Sequence, residues 1–453
     1  MRFLDALLGA RSGKRNIVIP DIKCFSPKEG DLMNGRDPVE YARMLVHAGA
    51  PVLSVVTEEM EFHGSLSMLK EISDAVEVPI LRKDFIHTRE DLEETKAYGA
   101  SAILLMCSCL EEEELTTLYY QALELGLDPF VETHVKEDFA LVRKLGAKLV
   151  GINNRDITVL ERDEGDVSNT ESLAALAPED AFLVTESSIK DPEQVRRAIV
   201  AGAHAALVGT AILKAEHTES FYRMMCRKIS LKVCGLMNPE DVKLCVELGV
   251  ERIGFVADYP LPVQWNLAAE DVKKLRALVP EGYKACIVVG GDGPKIREIA
   301  RTIKPDMLQL HYQETMSLTA ELAAELKEQG TTIIKSLPSS EEGLIRQFGT
   351  AAIEKIVPMI NDSEVAEILI DPRHGSKVTS QNLTLDVELA KEVMALSQKP
   401  VVIAGGIVPA NLEQYIEQTS CMNVDIMNGS EDAPGKKSRE KIEKILEILD
   451  GIG

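Results

Sequence analysis

The sequence lacks the features that mark membrane and secreted proteins. No run of about 18 apolar residues occurs along its 453 residues, which excludes a transmembrane helix. The N-terminal stretch MRFLDALLGARSGKR has no apolar signal-peptide core and no cleavage site, so we expect a cytoplasmic protein. Aromatic residues are scarce, with a single tryptophan, Trp265, but 45% of the residues are apolar, which is enough for the core of a soluble globular protein.

Other absences narrow the possible ligands. The eight cysteines never have C-x-x-C spacing, which argues against a zinc site and against a disulfide framework. EF-hand spacing, a Walker motif and G-x-G-x-x-G are also missing, so calcium and nucleotide sites have no support. The net charge of −23 disfavours nucleic acid as a partner. An anionic ligand would have to be bound by local backbone amides or single cations.

What the sequence does contain is a regular alternation of short apolar runs and longer segments with helical period. In the first half this pattern predicts strands at 17–22, 52–56, 78–82, 101–105, 128–132, 148–152, 181–185 and 205–208. The second half repeats the scheme, although 341–366 is less regular. Eight strand–helix units in succession indicate a closed parallel barrel. We therefore predict an α/β protein of two tandem (β/α)8 TIM barrels, residues 1–227 and 228–453.

Two segments near the ends of the halves share one layout, which supports this duplication. In TESSIKDPEQVRRAIVAGAHAALVGTA and AGGIVPANLEQYIEQTSCMNVDIMNGSE, small residues are followed by a helix, a strand and a second glycine-containing turn. In such barrels the last two loops often bind a phosphate with backbone amides. We expect the second half to bind a phosphate group at Gly405, Gly406, Asn428 and Gly429.

Polar residues cluster where the predicted strands of the first half end, which is where barrels of this class carry their active sites. They are Asp21, Lys23, Lys83, Glu132, Asn153, Arg155, Glu186 and Ser187. Lysines and carboxylates crowded in a half-buried mouth shift each other's pKa values, which suits proton transfer near neutral pH. Any one of them alone is better explained as a helix cap or surface ion pair, but the whole set indicates a catalytic mouth.

Specific motifs occur over nearly the whole first half: DIKCFSPKEG (21–30), LSVVTEEMEFHGS (53–65), LRKDFI (81–86), VET (131–133), GINNRD (151–156), TESSI (185–189) and LVGTA (207–211). With these motifs in this order, the half resembles indole-3-glycerol phosphate synthase. The resemblance implies that carboxyphenylamino-deoxyribulose phosphate undergoes ring closure with loss of carbon dioxide and water. It implies no metal and no organic cofactor.

The resemblance also assigns roles to individual residues. Lys83 would be the general acid that protonates the substrate ketone, Glu132 the base for the later proton removal, and Lys23 a substrate ligand that assists ring closure or dehydration. Asp21 would belong to the same catalytic group. The substrate pocket would be lined by Asn153, Arg155, Glu186 and Ser187. The phosphate would be bound by Ser26, Ser188, Gly209 and Thr210.

Three departures from this family stand out. The family usually has glutamate at the position of Asp21, one methylene longer. It usually has Glu-Ser-Gly where this chain has Glu186-Ser187-Ser188, and a side chain at the third position could crowd the phosphate. The family also has an N-terminal helical extension that helps to cover the mouth, whereas about 16 residues precede the first strand here. We expect these changes to alter affinity or substrate range.

The second half carries KVCGLMNPEDV (232–242), LQLHY (308–312), LIDP (369–372), VIAGGIVPANL (402–412) and VDIMNGSEDAPGKK (424–437). With these it resembles phosphoribosylanthranilate isomerase. The resemblance implies an Amadori rearrangement of phosphoribosylanthranilate, with Cys234 as the base and Asp371 as the acid. A cysteine that ends a strand is otherwise better explained as inert core packing.

This half departs further from its family. The family has an arginine after the second strand that binds the anthranilate, and the corresponding loop here, ADYPLPVQWNL (257–267), has none; Gln264 is the nearest polar substitute. The glycine-rich phosphate loop after the sixth strand is also altered, to DPRHGSKVTSQNL (371–383). We expect Arg373, His374 or Lys377 to take over some of the anion binding.

The leading hypothesis is a bifunctional enzyme that performs two successive steps of tryptophan biosynthesis. Two alternatives remain open. Both barrels could act on a related aryl-amine sugar phosphate of a specialised pathway, or the second barrel could be a non-catalytic partner module. The expected partners are small aryl-amine sugar phosphates, with no nucleic acid and no membrane. The oligomeric state stays open and is compatible with a monomer.

Overall fold

The protein is described by a computed structural model that covers residues 2–155, 165–338, 340–372 and 384–452. The chain divides into two compact units, Met1–Arg227 and Lys228–Gly453. Each unit is a closed barrel of eight parallel strands, so the predicted fold of two tandem (β/α)8 barrels is confirmed.

The first unit has its eight barrel strands in simple chain order around the barrel. They are β1 (Ile17–Ile22), β2 (Leu53–Val56), β3 (Ile80–Lys83), β4 (Ala102–Met106), β5 (Asp128–Thr133), β6 (Leu149–Asn153), β7 (Phe182–Glu186) and β8 (Ala205–Val208). Nearly every strand residue is buried, because the strands face the barrel interior on one side and the surrounding helices on the other. This explains why the strands appear in the sequence as continuous apolar runs.

Helices alternate with these strands and surround the barrel. They are Phe3–Ala10, Pro38–His47, Leu66–Ala75, Arg89–Ala97, Glu112–Glu124, Asp138–Leu145, Ser168–Leu173, Pro192–Val200, Thr210–Lys214 and Thr218–Cys226. Several begin at capping side chains: the hydroxyl of Ser65 accepts from the Met68 amide, and the carboxylate of Asp37 accepts from two amides of its first turn.

The first helix, Phe3–Ala10, closes the N-terminal end of this barrel rather than its mouth. Phe3 and Leu7 are fully buried in the interior cluster of the barrel. The carboxylate of Asp128, the first residue of β5, pairs with Arg2 and accepts the Leu4 amide at 3.0 Å. The segment before β1 therefore completes the core at the end opposite the C-terminal ends of the strands.

The second unit repeats the arrangement. Its strands are β9 (Ser230–Val233), β10 (Arg252–Ala257), β11 (Lys284–Val289), β12 (Met307–Leu310), β13 (Thr332–Leu337), β14 (Glu367–Ile370), β15 (Val401–Ala404) and β16 (Asn423–Ile426). Strand β9 pairs with both β10 and β16, which closes the barrel. The short strand Asn266–Leu267 adds to the outer end of β10 and fixes the loop that follows it.

The helices of the second unit are Pro239–Glu247, Ala269–Arg276, Gly293–Ile303, Met316–Lys327, Glu341–Phe348, Ile353–Asn361, Val387–Leu396, Pro409–Thr419 and Arg439–Gly451. The segment that is irregular in the sequence, 341–366, thus contains two helices. In the described part of the chain, no helix is both long enough and apolar enough to cross a membrane.

Candidate active sites

The first barrel has a pocket of about 570 Å³ at the C-terminal ends of its strands. It is lined by Asp21, Lys23, Val56, Glu58, Phe62, Lys83, Asp84, Phe85, Leu104, Met106, Asn153, Arg155 and Ser187. Six of these side chains belong to the polar set predicted from the strand ends. The pocket therefore combines charged groups from β1, β3 and β6 with an apolar wall.

Lys83 is the central cation of this pocket. Its Nζ donates to Oε2 of Glu186 at 2.7 Å, and Glu186 is fully buried. Burial alone would lower the pKa of the Lys83 ammonium, but the carboxylates of Glu186, Asp21 and Glu132 outweigh it and raise the pKa above its ordinary value. Lys83 is therefore a protonated cation at neutral pH, with a proton to donate.

Glu132 lies beside this ion pair at the end of β5. Burial, and next the negative charge of Glu186, raise the pKa of the Glu132 carboxyl to about 8, while Lys83 opposes the shift. Its Oε2 atom is buried and has no hydrogen-bond partner among the described residues. A carboxyl group with a pKa near the working pH can both take up and release a proton, which is what a general base requires.

Gly151 on β6 makes the space for this arrangement. A Cβ at this position would lie 2.5 Å from Oε1 of Glu186 and 2.8 Å from Cζ of Phe130. Such distances are closer than van der Waals contact, so a side chain at residue 151 would displace one of the charged groups. The glycine of the GINNRD motif is thus part of the site.

Asp21 and Lys23, at the end of β1, both line the pocket. Oδ1 of Asp21 accepts from the hydroxyl of Ser54 at 2.6 Å, and Gly209 approaches the same carboxylate so closely that a Cβ there would lie 3.3 Å from Oδ2. Nζ of Lys23 lies 5.8 Å from the centre of the Phe62 ring. This distance is compatible with a cation–π contact, which leaves the ammonium at the pocket wall.

A second charged pair, which was not recognised in the sequence, fixes the end of β3. Oδ2 of Asp84 accepts from Arg82 at 2.9 Å and from the hydroxyl of Thr57 at 2.6 Å. Arg82 and Asp84 lie at i and i+2 in LRKDFI, one on each side of Lys83 along the chain, and Asp84 also lines the pocket. The i, i+2 spacing of a basic and an acidic residue in this motif is the signal from which the pair could have been predicted. These contacts position Lys83 by holding its neighbours on both sides.

The residues after β6 and β7 form the remaining polar wall. Nε of Arg155 donates to the hydroxyl of Ser188 at 2.9 Å, and the Arg155 amide donates to Oδ1 of Asn153 at 3.0 Å. Ser187 and Ser188 have φ angles of 67° and 61°, in the left-handed region that favours glycine. Where the related family has glycine, this chain therefore accepts a strained backbone and gains a hydroxyl that orients Arg155.

The four residues expected to bind the phosphate are outside the wall of this pocket. Ser26 and Ser188 are buried, Gly209 is packed against Asp21, and Thr210 begins the short helix Thr210–Lys214. Ser188 approaches the pocket through its contact with Arg155. Their assignment to a phosphate remains a prediction.

The second barrel has a pocket of about 500 Å³, which Cys234 and Asp371 both line. The full lining is Cys234, Val256, Tyr259, Val263, Trp265, Val288, Gln309, His311, Asp371, Asp425 and Met427. The two residues expected to act as base and acid thus reach the same space from β9 and from the end of β14. The wall between them is mostly apolar and aromatic.

A buried polar chain lies beneath Cys234. Nζ of Lys232 donates to Oδ2 of Asp425 at 2.8 Å and to Oε1 of Gln309 at 2.5 Å, and Gln309 contacts Nδ1 of His311 at 3.0 Å. Sequence reasoning overlooked this chain, although Lys232 and Cys234 alternate on β9 and therefore face the same side. Burial raises the pKa of the Cys234 thiol, while the Lys232 ammonium opposes that shift.

Gly254 on β10 is the counterpart of Gly151. A Cβ there would lie 2.8 Å from Cα of Cys234 and 2.9 Å from Cε of Lys232. The backbone of Cys234 is also held by the buried Lys437, because Nζ of Lys437 donates to the Cys234 carbonyl oxygen at 2.6 Å. The position of the thiol therefore depends on a close approach from β10 and on a cation from residue 437.

The glycines expected to bind a phosphate have close packing roles in this barrel. A Cβ at Gly405 would collide with Pro372 and lie 3.2 Å from Oδ1 of Asp371, and a Cβ at Gly429 would collide with the backbone of Ile407. Gly406 has a left-handed φ of 67°, and Asn428 begins a short 3₁₀ turn. A phosphate role for these four residues stays a prediction.

The loop after β10 differs from the sequence-based interpretation. Gln264, considered as a replacement for the family's arginine, is exposed, whereas Val263 and Trp265 on either side of it line the pocket. Gln264 and Trp265 lie in the turn that the Asn266 amide closes on the Val263 carbonyl oxygen at 3.3 Å, and this turn leaves residue 264 in solvent. The other candidates, Arg373, His374 and Lys377, are outside the described residues. Within those described residues, no three His, Cys, Asp or Glu side chains are grouped to bind a metal ion.

Comparison with protein families identifies both halves. Residues 1–225 match the family model described as indole-3-glycerol phosphate synthase. Residues 231–448 match the model described as N-(5′-phosphoribosyl)anthranilate isomerase. The two matches follow one another with only a few residues between them.

Curated relatives show the same order. The indole-3-glycerol phosphate synthase of Thermococcus kodakarensis is 43% identical over 215 residues, which cover 48% of this chain and 94% of that protein. The tryptophan biosynthesis protein TrpCF of Vibrio parahaemolyticus is 28% identical over 457 residues, which cover 99% of this chain and 86% of the relative. A solved phosphoribosylanthranilate isomerase from Thermotoga maritima has 24% identity and a TM-score of 0.40, and covers 49% of this chain and 100% of its own.

Proposed function

The chain belongs to the indole-3-glycerol phosphate synthase family and continues into a phosphoribosylanthranilate isomerase domain, and on this premise we propose how its residues divide the two reactions. It catalyses two successive steps of tryptophan biosynthesis. The second barrel isomerises phosphoribosylanthranilate, and the first barrel closes the indole ring of the product. The observation that carries the residue-level proposal is that Lys83, which lines the pocket, pairs with the buried Glu186 beside the buried Glu132.

In the first barrel, Lys83 is the general acid. It protonates the ketone oxygen of carboxyphenylamino-deoxyribulose phosphate while the aryl carbon that bears the carboxylate attacks the carbonyl carbon. Carbon dioxide then leaves from that aryl carbon. The three carboxylates around Lys83 support this role, because they keep the ammonium protonated until the ketone accepts the proton.

Glu132 is the base for the later proton removal, and Lys23 assists the loss of water. The raised pKa of Glu132, about 8, supports proton exchange near neutral pH. Asp21 and Glu186 supply the negative charge that holds Lys83. Asn153, Arg155 and Ser187 line the pocket, and the planar guanidinium of Arg155 is suited to the substrate carboxylate. Ser26, Ser188, Gly209 and Thr210 remain the proposed phosphate ligands.

In the second barrel, Asp371 is the acid and Cys234 the base. Asp371 protonates the ring oxygen of the ribose as the ring opens. Cys234 then removes the proton from the second carbon of the sugar, next to the carbon that bears the amine. An aldose amine thereby becomes a ketose amine. Their convergence on one pocket supports these roles. The phosphate is assigned to Gly405, Gly406, Asn428 and Gly429. Neither reaction needs a redox or metal cofactor.

The alternatives have less support. The names of the two curated relatives described above indicate neither a different substrate nor a non-catalytic second barrel. Both proposed acid–base residues of the second barrel line its pocket. We also propose that the chain works in the cytoplasm on small aryl-amine sugar phosphates.

A two-step assay of the purified full chain tests the proposal. With phosphoribosylanthranilate as the substrate, the unmodified chain should form indole-3-glycerol phosphate. The Lys83→Ala variant should stop at carboxyphenylamino-deoxyribulose phosphate, and the Cys234→Ala variant should leave phosphoribosylanthranilate unconverted but still process the later intermediate. If either variant completes both steps at the normal rate, the corresponding assignment is wrong.

A further inference from the structure

Trp265 lies against the turn that carries the base of the isomerase pocket. It is half-buried and lines that pocket. A Cβ at Gly235, the residue after Cys234, would lie 2.8 Å from Cδ1 of the indole and 3.2 Å from Cγ. The indole therefore packs directly on the backbone beside the reacting thiol.

The loop that bears Trp265 is held in a defined conformation. The strand Asn266–Leu267 pairs with the end of β10. The side chain of Asn266 accepts the Tyr259 amide at 2.8 Å and donates to the Tyr259 carbonyl oxygen at 3.1 Å, so the loop is tied across its base. The indole Nε1 donates to Oε2 of Glu431 at 3.2 Å. These contacts fix one edge of the indole ring, which lies on the pocket wall.

The surroundings of the indole are suited to the face or edge of an aromatic ring. Val256, Tyr259, Val263 and Val288 form the neighbouring wall. The residues that line the pocket within the described ranges include two carboxylates, Asp371 and Asp425, but neither lysine nor arginine. Aromatic rings attract one another in stacked or edge-to-face contact, so a tryptophan in this wall can bind an aryl group without any ion pair.

We propose that Trp265 is the residue that receives the aryl ring of the substrate in the isomerase pocket and that it determines specificity for an arylamine. The proposal rests on the isomerase function proposed above. It replaces the polar contact first expected from Gln264 with recognition through the face or edge of an indole. Substrates that lack the aryl ring lose this contact.

The indole also connects to Cys234 through polar groups. Glu431, which accepts from the indole, also accepts from Nζ of Lys437 at 3.3 Å, and Lys437 holds the Cys234 carbonyl oxygen. A merely structural role for Trp265 would act along this path and would lower kcat. Ring recognition acts on binding and would raise KM while leaving kcat nearly unchanged.

Steady-state kinetics of the full chain separate these two roles. For Trp265→Ala we expect KM for phosphoribosylanthranilate to rise roughly tenfold or more, with kcat within about threefold of normal. Trp265→Phe keeps a ring but removes the N–H donor, and we expect its KM to stay within about threefold of normal. An unchanged KM in Trp265→Ala would overturn the proposal. A fall in kcat alone, equal in both variants, would also overturn it.

Tryptophan fluorescence tests the same contact in the unmodified chain. Because the sequence contains one tryptophan, the tryptophan emission comes from this pocket. The reduced form of carboxyphenylamino-deoxyribulose phosphate should change the emission in a saturable manner. Ribulose 5-phosphate, which lacks the aryl ring, should leave it nearly unchanged. No change with the first compound, or equal changes with both, would contradict the proposal.

The two tests distinguish failure of this inference from failure of the proposed function. If the unmodified chain shows no isomerase turnover, the proposed isomerase function is wrong, while the fluorescence titration still decides whether Trp265 contacts an aryl ligand. If turnover is normal and Trp265→Ala has a normal KM, only the inference about Trp265 is wrong. Synthase turnover of each variant should be unchanged, because Trp265 belongs to the other barrel.

Discussion

The two barrels place their ionisable groups differently around the same kind of pocket. In the synthase barrel, the ammonium of Lys83 lines the pocket and pairs with Glu186 at its floor. In the isomerase barrel, the ammonium groups of Lys232 and Lys437 are buried behind the wall, where they bind Asp425 and the Cys234 carbonyl oxygen. A cation lines the pocket in the first barrel, whereas cations support the wall from behind in the second.

This difference shows how one fold serves two kinds of proton transfer. The acid that we propose for the decarboxylative ring closure is a cation held by carboxylates, and Lys83 lines the pocket. The Amadori rearrangement moves one proton between neighbouring atoms, and a thiol with a carboxyl group suffices if both are held rigidly. The following experiments test that contrast, from the largest expected effect to the smallest.

Lys83→Ala should have the largest effect. We expect synthase turnover to fall by roughly 10²- to 10⁴-fold, because the variant loses the positioned acid, while isomerase turnover stays unchanged. Product formation from carboxyphenylamino-deoxyribulose phosphate measures the loss. Lys70→Ala is the matched control, since Lys70 is an exposed lysine of the same barrel and pairs with Asp74. A similar loss in both variants would argue against a specific role for Lys83.

Cys234→Ser should lower isomerase turnover by roughly 100-fold, because a serine hydroxyl is a much poorer proton acceptor than a thiolate. Synthase turnover should not change. Cys421→Ser provides the control within the same barrel, because the buried Cys421 donates to the Val401 carbonyl oxygen and a hydroxyl can make the same bond. Full isomerase activity in Cys234→Ser would assign the base to another residue.

Substitution of either close-packed glycine by alanine should lower the activity of the barrel that contains it and leave the other activity unchanged. Gly151→Ala should lower the synthase rate and Gly254→Ala the isomerase rate, each by roughly tenfold to 100-fold, since displacement of a catalytic group by about 1 Å is costly. Each should lower the free energy of unfolding by about 1–3 kcal/mol. Gly9→Ala is the control, because a Cβ there meets nothing within 4 Å. Loss of both activities in one variant would indicate general unfolding.

The smallest expected effect is a shift in a pH profile. Glu132 must lose its proton to act as a base, and its pKa is raised to about 8, so synthase kcat/KM should rise as the pH rises through about 8. Burial is the largest cause of the raised pKa of Glu132, and the negative charge of Glu186 is the second. Glu186→Gln removes that charge. We expect the rise to move to lower pH in that variant, even though its maximal rate falls. An unmoved profile would mean that another group controls the titration.

The strand positions could be predicted from the sequence because each barrel strand is a short apolar run. In the first barrel, all eight strands lie within about two residues of the predicted ranges. The cluster of Lys83, Glu186 and Glu132 also followed from the rule that barrel sites lie at strand ends. Sequence spacing was enough because these residues lie at the C-terminal ends of alternate strands, β3, β5 and β7, whose side chains meet in one layer of the barrel.

Other features depend on contacts that no local pattern shows. The first helix lies across the N-terminal end of its barrel because Phe3 and Leu7 complete the interior there, and nothing in its own sequence specifies that end. The choice between Gln264 and Trp265 depended on the conformation of the turn before the short strand Asn266–Leu267, which places Trp265 and not Gln264 in the pocket wall. The support of Cys234 by Lys437 joins residues 203 positions apart.

The bond between Lys437 and the Cys234 carbonyl oxygen also has a consequence for the order in which the two activities appear on the ribosome. The pocket residues of the first barrel are all translated by residue 187, and its last helix ends at Cys226, near the middle of the chain. The second catalytic centre lacks an anchor until residue 437 of 453 has been added. Since domains generally fold as units from the N-terminus during synthesis, the nascent protein gains the later metabolic step first.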